Sequence, residues 1–274
     1  MINTILRPQF TENIYKYYIQ KGKSLNIFGA KGVGKSRFIE DLKSLIDYEI
    51  NFVSLNMREL RTNYKRFTRK LKDELNIEGE ANTIELVLAE FAKKSGKKVL
   101  VIDHFEYLFE ANHDRAFNFD FFDQLNSFKN SDSVSLLILS THNYTHEQFY
   151  KDGELTTSPL DISVEEITPL IQKEIEDELK REIDKDLNFE LLATLIMGKE
   201  HPYDLMNFVA KEIKFSSYNS RDSLEKNFDR WEKKYSKINS EWALRLKSYL
   251  IKNKKKLTEL IFKGVELWFK KKID

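Results

Sequence analysis

Eight consecutive residues carry the most explicit chemistry in the chain: Gly29-Ala30-Lys31-Gly32-Val33-Gly34-Lys35-Ser36. They fit the spacing GxxxxGK followed by Ser or Thr. A short apolar strand (Leu25, Ile27, Phe28) precedes them, and a helix with Phe38, Ile39, Leu42, Leu45 and Ile46 on one face follows. Glycines let the backbone turn with its N–H groups inward, and the helix N-terminus adds partial positive charge, so the pattern is a cradle for a polyphosphate. Within it, the whole run together with Arg37 is expected to touch the nucleotide. Lys35 reaches the β- and γ-phosphates, and the Ser36 hydroxyl takes one Mg²⁺ position. A plain Gly-rich strand-to-helix turn is the bland alternative, and the agreement of motif and flanking elements weighs against it. Asp103, at the end of the apolar run KKVLVID, is placed to be the second carboxylate that organises Mg²⁺.

These groups need a scaffold that brings strand ends together. Ile50 to Met57 reads as a second strand, Lys98 to Phe105 as a third and Ser133 to Ser140 as a fourth. The last two are continuous apolar runs, which means burial on both faces, as in a parallel sheet. Helical stretches fall between them: Thr11 to Gln20, Thr62 to Asn76, Asn82 to Ser95, and an aromatic-rich segment from Phe117 to Asn130. Alternating strands and helices predict an α/β three-layer P-loop NTPase sandwich with a mainly parallel sheet, its sites at the carboxyl edge. Leu155 to Ser163 is a further strand candidate. Helices are then expected over Val164 to Ile183, Phe189 to Met197 and Tyr203 to Phe215. The division expected is a P-loop core at 1–160, a helical lid at 161–215 and a basic helical C-terminal module at 216–274.

Composition narrows the class. The 274 residues include no cysteine, so disulfides and thiolate metal sites are excluded. No apolar run approaches the ~20 residues of a membrane span, and MINTILRPQF lacks the features of a secretory signal. The expectation is a soluble, cytoplasmic chain without membrane partners. The net charge of +1 hides an asymmetry. Residues 161–190 hold eleven acids against four bases, whereas 216–274 hold sixteen bases against eight acids and all three tryptophans, Trp231, Trp242 and Trp268. A second basic stretch, Arg58, Arg61, Lys65, Arg66, Arg69, Lys70 and Lys72, reads by default as a solvated helix face, and a phosphate-contacting surface is the sharper alternative that a sparse apolar face supports.

Taken together, GAKGVGKS at 29–36, VLVIDHFEYL at 99–108, LLILST at 136–141 and LIMGKEHPYDLMNFVAKEI at 195–213 resemble P-loop ATPases of the AAA+ and STAND groups, particularly the archaeal-type ATPase and NACHT-like branch. The resemblance covers about residues 1–215. It implies ATP as ligand with Mg²⁺ as cofactor, Asp103 as the Walker B acid, and Ser140 or Thr141 as the polar sensor of the γ-phosphate. It departs from the commonest pattern at His104, where most such ATPases carry Glu. Glu106 is then the candidate base for the attacking water, with a helix-terminal acid as its plainer reading. The Gly198…His201-Pro202-Tyr203 run looks like the element whose His and Pro approach the nucleotide, although a first-turn proline accounts for Pro202 equally simply. Arg7, Pro8 and Phe10 are candidates to lie over the base.

The group's arginine finger has no counterpart, because no arginine occurs between Arg115 and Arg181. That favours a slow, Mg²⁺-dependent ATPase acting as a nucleotide switch with a protein partner or in a homo-oligomer. The alternative is a DNA-associated AAA+ ATPase of the initiator-loading or transposition-helper type. A small-molecule kinase fits less well without an arginine-rich closing lid. GTP specificity lacks an NKxD motif, and an ABC transporter lacks its LSGGQ-like signature.

Overall fold

A computed structural model describes residues 5–46, 49–78, 83–109, 112–144, 148–151, 154–157, 160–215, 218 and 221–240. The expectations for Trp242, Trp268 and the lysine-rich stretch beyond 240 lie outside the described residues, as does Pro159.

The chain opens with α1 (Pro8–Ile14), which runs on as a π-helical turn over Tyr15–Ile19. Then come β1 (Leu25–Phe28), α2 (Lys35–Leu45), β2 (Ile50–Asn56), the one-turn α3 (Met57–Leu60), α4 (Tyr64–Glu74) and α5 (Ile84–Lys93). Next follow β3 (Lys97–Asp103), a 3₁₀ turn at Phe105–Leu108, α6 (Phe119–Lys129) and β4 (Val134–Ser140). A small hairpin of β5 (Gln148–Lys151) and β6 (Glu154–Thr157) leads to β7 (Ser163–Glu166). Four helices end the described chain: α7 (Gln172–Glu182), α8 (Phe189–Ile196), α9 (Pro202–Phe215) and α10 (Leu224–Asn239).

Five strands form one parallel sheet in the order β2-β3-β4-β1-β7. Its two faces are legible residue by residue. Val99 and Val101 of β3 and Leu137 and Leu139 of β4 join Leu25, Ile27, Phe38 and Leu42 in the layer beneath α1 and α2. Their alternating neighbours Leu100, Ile102, Leu136 and Ile138 pack with Phe67, Leu71, Phe91, Phe121 and Phe122 of the opposite helices. Period-2 alternation with apolar residues on both sides is what a sheet covered on both faces requires.

Three expectations need correction. Val164 belongs to a strand: β7 pairs with β1 from Leu25↔Ser163 to Phe28↔Glu166, and α7 starts only at Gln172. Alternating Val and Glu in a four-residue edge strand resembles the first turn of an acidic helix, and only the vacant edge of β1 settles it. Leu155 lies in the β5–β6 hairpin outside the main sheet. The basic helix α4 is not sparse in apolar contacts either, since Phe67, Thr68 and Leu71 are buried on its inner face, with Leu75 just beyond.

The helices after β7 have their own core. Ile175, Leu179, Leu192, Ile196, Leu205, Val209, Phe228 and Trp231 form one cluster separate from the two sheet layers. Trp231 is 2% exposed and Phe228 1%. Trp231→Ala should therefore cost about 3–5 kcal/mol, the usual loss for a large aromatic removed from a core. Hydrogen exchange should show it, with amides of α8, α9 and α10 losing protection well before those of β1, β3 and β4. Equal loss in both regions would mean that the two cores unfold as one.

Candidate functional site

Parallel registers bring the carboxyl ends of the strands to one edge. Phe28 pairs with Ser140, and Asn56 with Asp103. Gly29 donates its N–H to the Ser140 carbonyl at 3.2 Å, which carries the sheet one residue into the loop. The loop then turns through left-handed backbone at Gly32 (φ +72) and Gly34 (φ +98), and Gly34 becomes the N-cap of α2. Side chains rarely adopt such angles, so the glycines are needed for the conformation itself. They are also needed for space: a Cβ on Gly32 would lie 2.3 Å from the Cβ of His201.

At the first turn of α2, Lys35 is buried, and its Nζ donates to the carbonyls of Gly29 at 2.6 Å and Ala30 at 3.1 Å. Burial pushes its pKa down, while Glu106, Asp103 and Asp204 pull the other way. The Ser36 hydroxyl lies 3.2 Å from Oδ2 of Asp103, and the other oxygen of Asp103 accepts the His104 N–H at 2.8 Å. A hydroxyl and a carboxylate in contact at the mouth of the loop form an oxygen-rich donor pair of the kind a hard cation takes. Ser36 and Asp103 would therefore hold Mg²⁺. The ion would offset charge on the phosphate oxygens when bound.

His104 adopts a left-handed conformation (φ +58), unusual outside glycine and rotating the chain out of strand alternation. Phe105 is consequently buried among Phe109, Phe122 and Tyr144, while Glu106 turns toward the cleft. Nδ1 of His104 lies 3.4 Å from Oε1 of Glu106. The second carboxylate oxygen, Oε2, is buried with no hydrogen-bond partner among the described residues. Burial raises the Glu106 pKa, but the His104 hydrogen bond, a backbone hydrogen bond and Lys35 outweigh it, and the net shift is downward. Glu106 is thus a carboxylate held in its ionised form at the edge of the cleft.

The resulting cleft, about 400 Å³, is bounded by Lys31, Gly32, Gly34, Lys35 and Ser36 on the loop side and by His104, Glu106, Tyr107 and Thr141 on the sheet side. Tyr203 and Asp204 of α9 close it, and Arg58 of α3 stands at its rim.

Several expected residues are elsewhere. Ser140 is fully buried, its hydroxyl donating to Oδ1 of Asn26 at 2.9 Å, so Thr141 is the sensor candidate that faces the cleft. A strand's last two residues point to opposite faces, and the sequence cannot say which is which. Arg37 turns away: its Nε binds Asp41 at 2.7 Å and its Nη1 binds Glu178 of α7 at 2.9 Å. Val33 lies in the core beneath the loop. His201 and Pro202 do not line the cleft but press on the loop from behind. His201 Nδ1 is 2.6 Å from the Lys31 carbonyl, and the Tyr203 N–H donates to the Gly32 carbonyl at 3.0 Å. Arg7 packs under the loop, donating to the carbonyls of Val33 and Thr168. With Pro8 and Phe10 it borders a second hollow against α7. Arg115 is exposed and apart from the cleft. Sequence reasoning missed Asp204 and Arg58. The first follows directly after the HPY element; the second was hidden among seven basic residues.

A family model described as an AAA domain matches residues 19–148. Among solved structures, the chain resembles the Orc1 protein of Aeropyrum pernix in complex with DNA, with 12% identity and a TM-score of 0.56 over 84% of this chain and 64% of that one. It also resembles a Walker-type ATPase of Pyrococcus abyssi (15% identity, TM-score 0.55, 95% of this chain and 77% of that one). A third likeness is domain III of the Thermotoga maritima replication initiation protein DnaA (13%, 0.51, 85% and 94%). The chain spans less than two thirds of the length of the Aeropyrum protein. Among curated proteins no sequence matches. Identities this low speak for the fold alone, and residues 19–148, which carry the phosphate loop, Asp103 and Thr141, are similar to the AAA domains of P-loop ATPases.

Proposed function

We propose that the chain is an Mg²⁺-dependent ATP switch, in which occupancy of the phosphate loop is read by the helices that follow β7. The observation that carries this is the pair of contacts from the start of α9 to the loop backbone, His201 to the Lys31 carbonyl and Tyr203 N–H to the Gly32 carbonyl. The Arg37–Glu178 ion pair adds a second tie, from α2 to α7. A loop that rearranges around phosphates must strain or release these ties. The units are a P-loop core and a helical lid that takes in α10, since Phe228 and Trp231 share its apolar cluster; the basic stretch that remains lies beyond residue 240.

In this reading Lys35 exchanges the Gly29 and Ala30 carbonyls for phosphate oxygens. Ser36 and Asp103 hold Mg²⁺. Glu106 accepts the proton of the attacking water, and Thr141 offers a hydroxyl from the end of β4. Asp204 puts a negative charge beside Lys35, opposing a polyphosphate until α9 moves. Turnover of the isolated chain is therefore slow, and a partner that repositions α9 accelerates it.

A second reading, DNA association, is favoured by one surface. Lys65, Arg66 and Arg69 of α4 are exposed, and none of them forms an ion pair with another described residue. Phosphate contacts of that kind are lost steeply with salt.

Four measurements test these statements. Lys35→Ala should lower affinity for a fluorescent ATP analogue at least tenfold in a folded protein, and unchanged affinity would remove the ATP assignment. Asp204→Asn should tighten ATP binding by about fivefold, the scale of about 1 kcal/mol for one screened like-charge contact near a surface; weaker binding would instead make Asp204 part of the Mg²⁺ site. Phosphate release should stay below about 1 s⁻¹, the low end of efficient phosphoryl transfer, and fall further in Glu106→Gln. If DNA binds, charge reversal of Lys65, Arg66 and Arg69 should flatten the salt dependence, and a chain that holds no DNA at low salt leaves the switch reading alone.

A further inference from the structure

We propose that Arg58 is a catalytic arginine supplied by the chain to its own cleft, hydrogen-bonding the γ-phosphoryl oxygens as charge builds on them. The inference rests on the ATP reading above and adds a residue to it.

Arg58 is the second residue of the short helix after β2, and β2 lies next to β3, with Asn56 in register with Asp103. The position is set from three sides. The Asn56 side chain accepts the Arg58 N–H at 2.9 Å, Arg61 Nη1 donates to the Arg58 carbonyl at 3.0 Å, and Met57 and Leu60 on either side are fully buried. The backbone is thus fixed while the side chain is exposed at the cleft rim, facing the same space as Lys35, Ser36 and Glu106. Its guanidinium lies 6.0 Å from the ring centroid of Tyr107, the residue after Glu106. Arg61 covers the same ring at 4.3 Å, so Tyr107 is a platform that keeps two cations beside the Glu106 turn. Among the described residues no carboxylate is paired with Arg58, although Glu106 and Asp204 border the same cleft. An arginine positioned by its backbone, without an ion-pair partner among the described residues and beside the candidate base, is matched to a doubly charged phosphoryl group that arrives only with the substrate.

The step balances as follows. A water oxygen forms a bond to the γ-phosphorus while the bond from that phosphorus to the β–γ bridging oxygen breaks, and its electron pair stays on ADP. One water proton passes to the Glu106 carboxylate. Arg58 transfers nothing; its fork of N–H donors binds two equatorial oxygens, a geometry that lysine lacks. An arginine in this role is worth roughly 10³–10⁵ in rate. The stretch from 116 to 180 lacks arginine, and the three-dimensional arrangement fills that gap from another part of the chain.

The test compares the full chain with Arg58→Ala and Arg58→Lys in three readouts: affinity for Mg-ADP, affinity for Mg-ADP with fluoroaluminate as transition-state mimic, and steady-state phosphate release. Arg58→Ala should keep Mg-ADP affinity within twofold, lose at least 100-fold in affinity for the mimic and lose at least 100-fold in turnover; Arg58→Lys should recover less than a tenth of either loss. Mixing Arg58→Ala with Lys35→Ala, whose Arg58 is intact, should restore nothing. Unchanged affinity for the mimic in Arg58→Ala overturns the assignment, and so does recovery on mixing, which would place the arginine in a neighbouring copy. If Lys35→Ala leaves Mg-ADP binding untouched, the ATP reading itself has failed, a result distinguishable from normal nucleotide binding with an indifferent Arg58.

Discussion

The phosphate loop can be shaped as it is only because Gly32 and Gly34 have no side chains. Each takes a left-handed backbone angle, and each is covered by a residue at the entry to α9, His201 just before it over Gly32 and Tyr203 over Gly34. One constraint therefore serves two purposes. The angles aim the N–H groups of the loop and hold α2 at the right start, and the bare α-carbons let a second structural unit rest directly on the loop. A methyl group at Gly32 would demand both a strained φ and a retreat of His201. The P-loop and the helices behind it are accordingly one mechanical element, although their apolar cores are separate.

Charge in the cleft is arranged as a balance. Lys35 is buried, and its pKa falls for that reason, yet three carboxylates lie near enough to hold it up. The lysine is kept by two carbonyls that any phosphate oxygen could replace. Glu178, between Arg37 and Arg181, has its pKa raised by burial even with two guanidiniums beside it. Buried ion pairs of this kind contribute modestly to stability, but removing one partner leaves the other charge stranded. Arg37 thus belongs to the structural tie and not to the ligand.

Most of the site was legible because its parts have strong local signatures. The glycine-rich loop, the apolar run ending in Asp103 and the helix starting at Pro202 each announce themselves by spacing. What was not legible depends on facing. Ser140 and Thr141 are equivalent in sequence, and the pleat sends one into the sheet and the other into the cleft. Arg58 and Arg69 are alike in composition, but α3 starts at a strand end beside Asp103 while the exposed side of α4 looks outward. Val164 and its neighbours read as helix because four residues of edge strand carry too little periodicity to outweigh an acidic run. In each case the deciding information was the identity of a neighbour far along the chain.

A small polar cluster beneath the loop has a further consequence for how the chain finds this arrangement. Asn26, in the middle of β1, is almost fully buried; it accepts from Ser140 at the end of β4 and reaches toward Asn143 beyond it. Parallel strands rich in Val, Leu and Ile offer little to choose one alignment over the next, since any apolar residue fits against any other. A slip of one position would turn Asn26 into an apolar layer and break its bond with Ser140, whose hydroxyl would keep only the His142 carbonyl, so that the amide would stand unsatisfied in a dry interior. The amide acts as an alignment key: it adds little to the strength of the sheet but makes every misaligned sheet worse, and so sets where the turn at Gly29 begins.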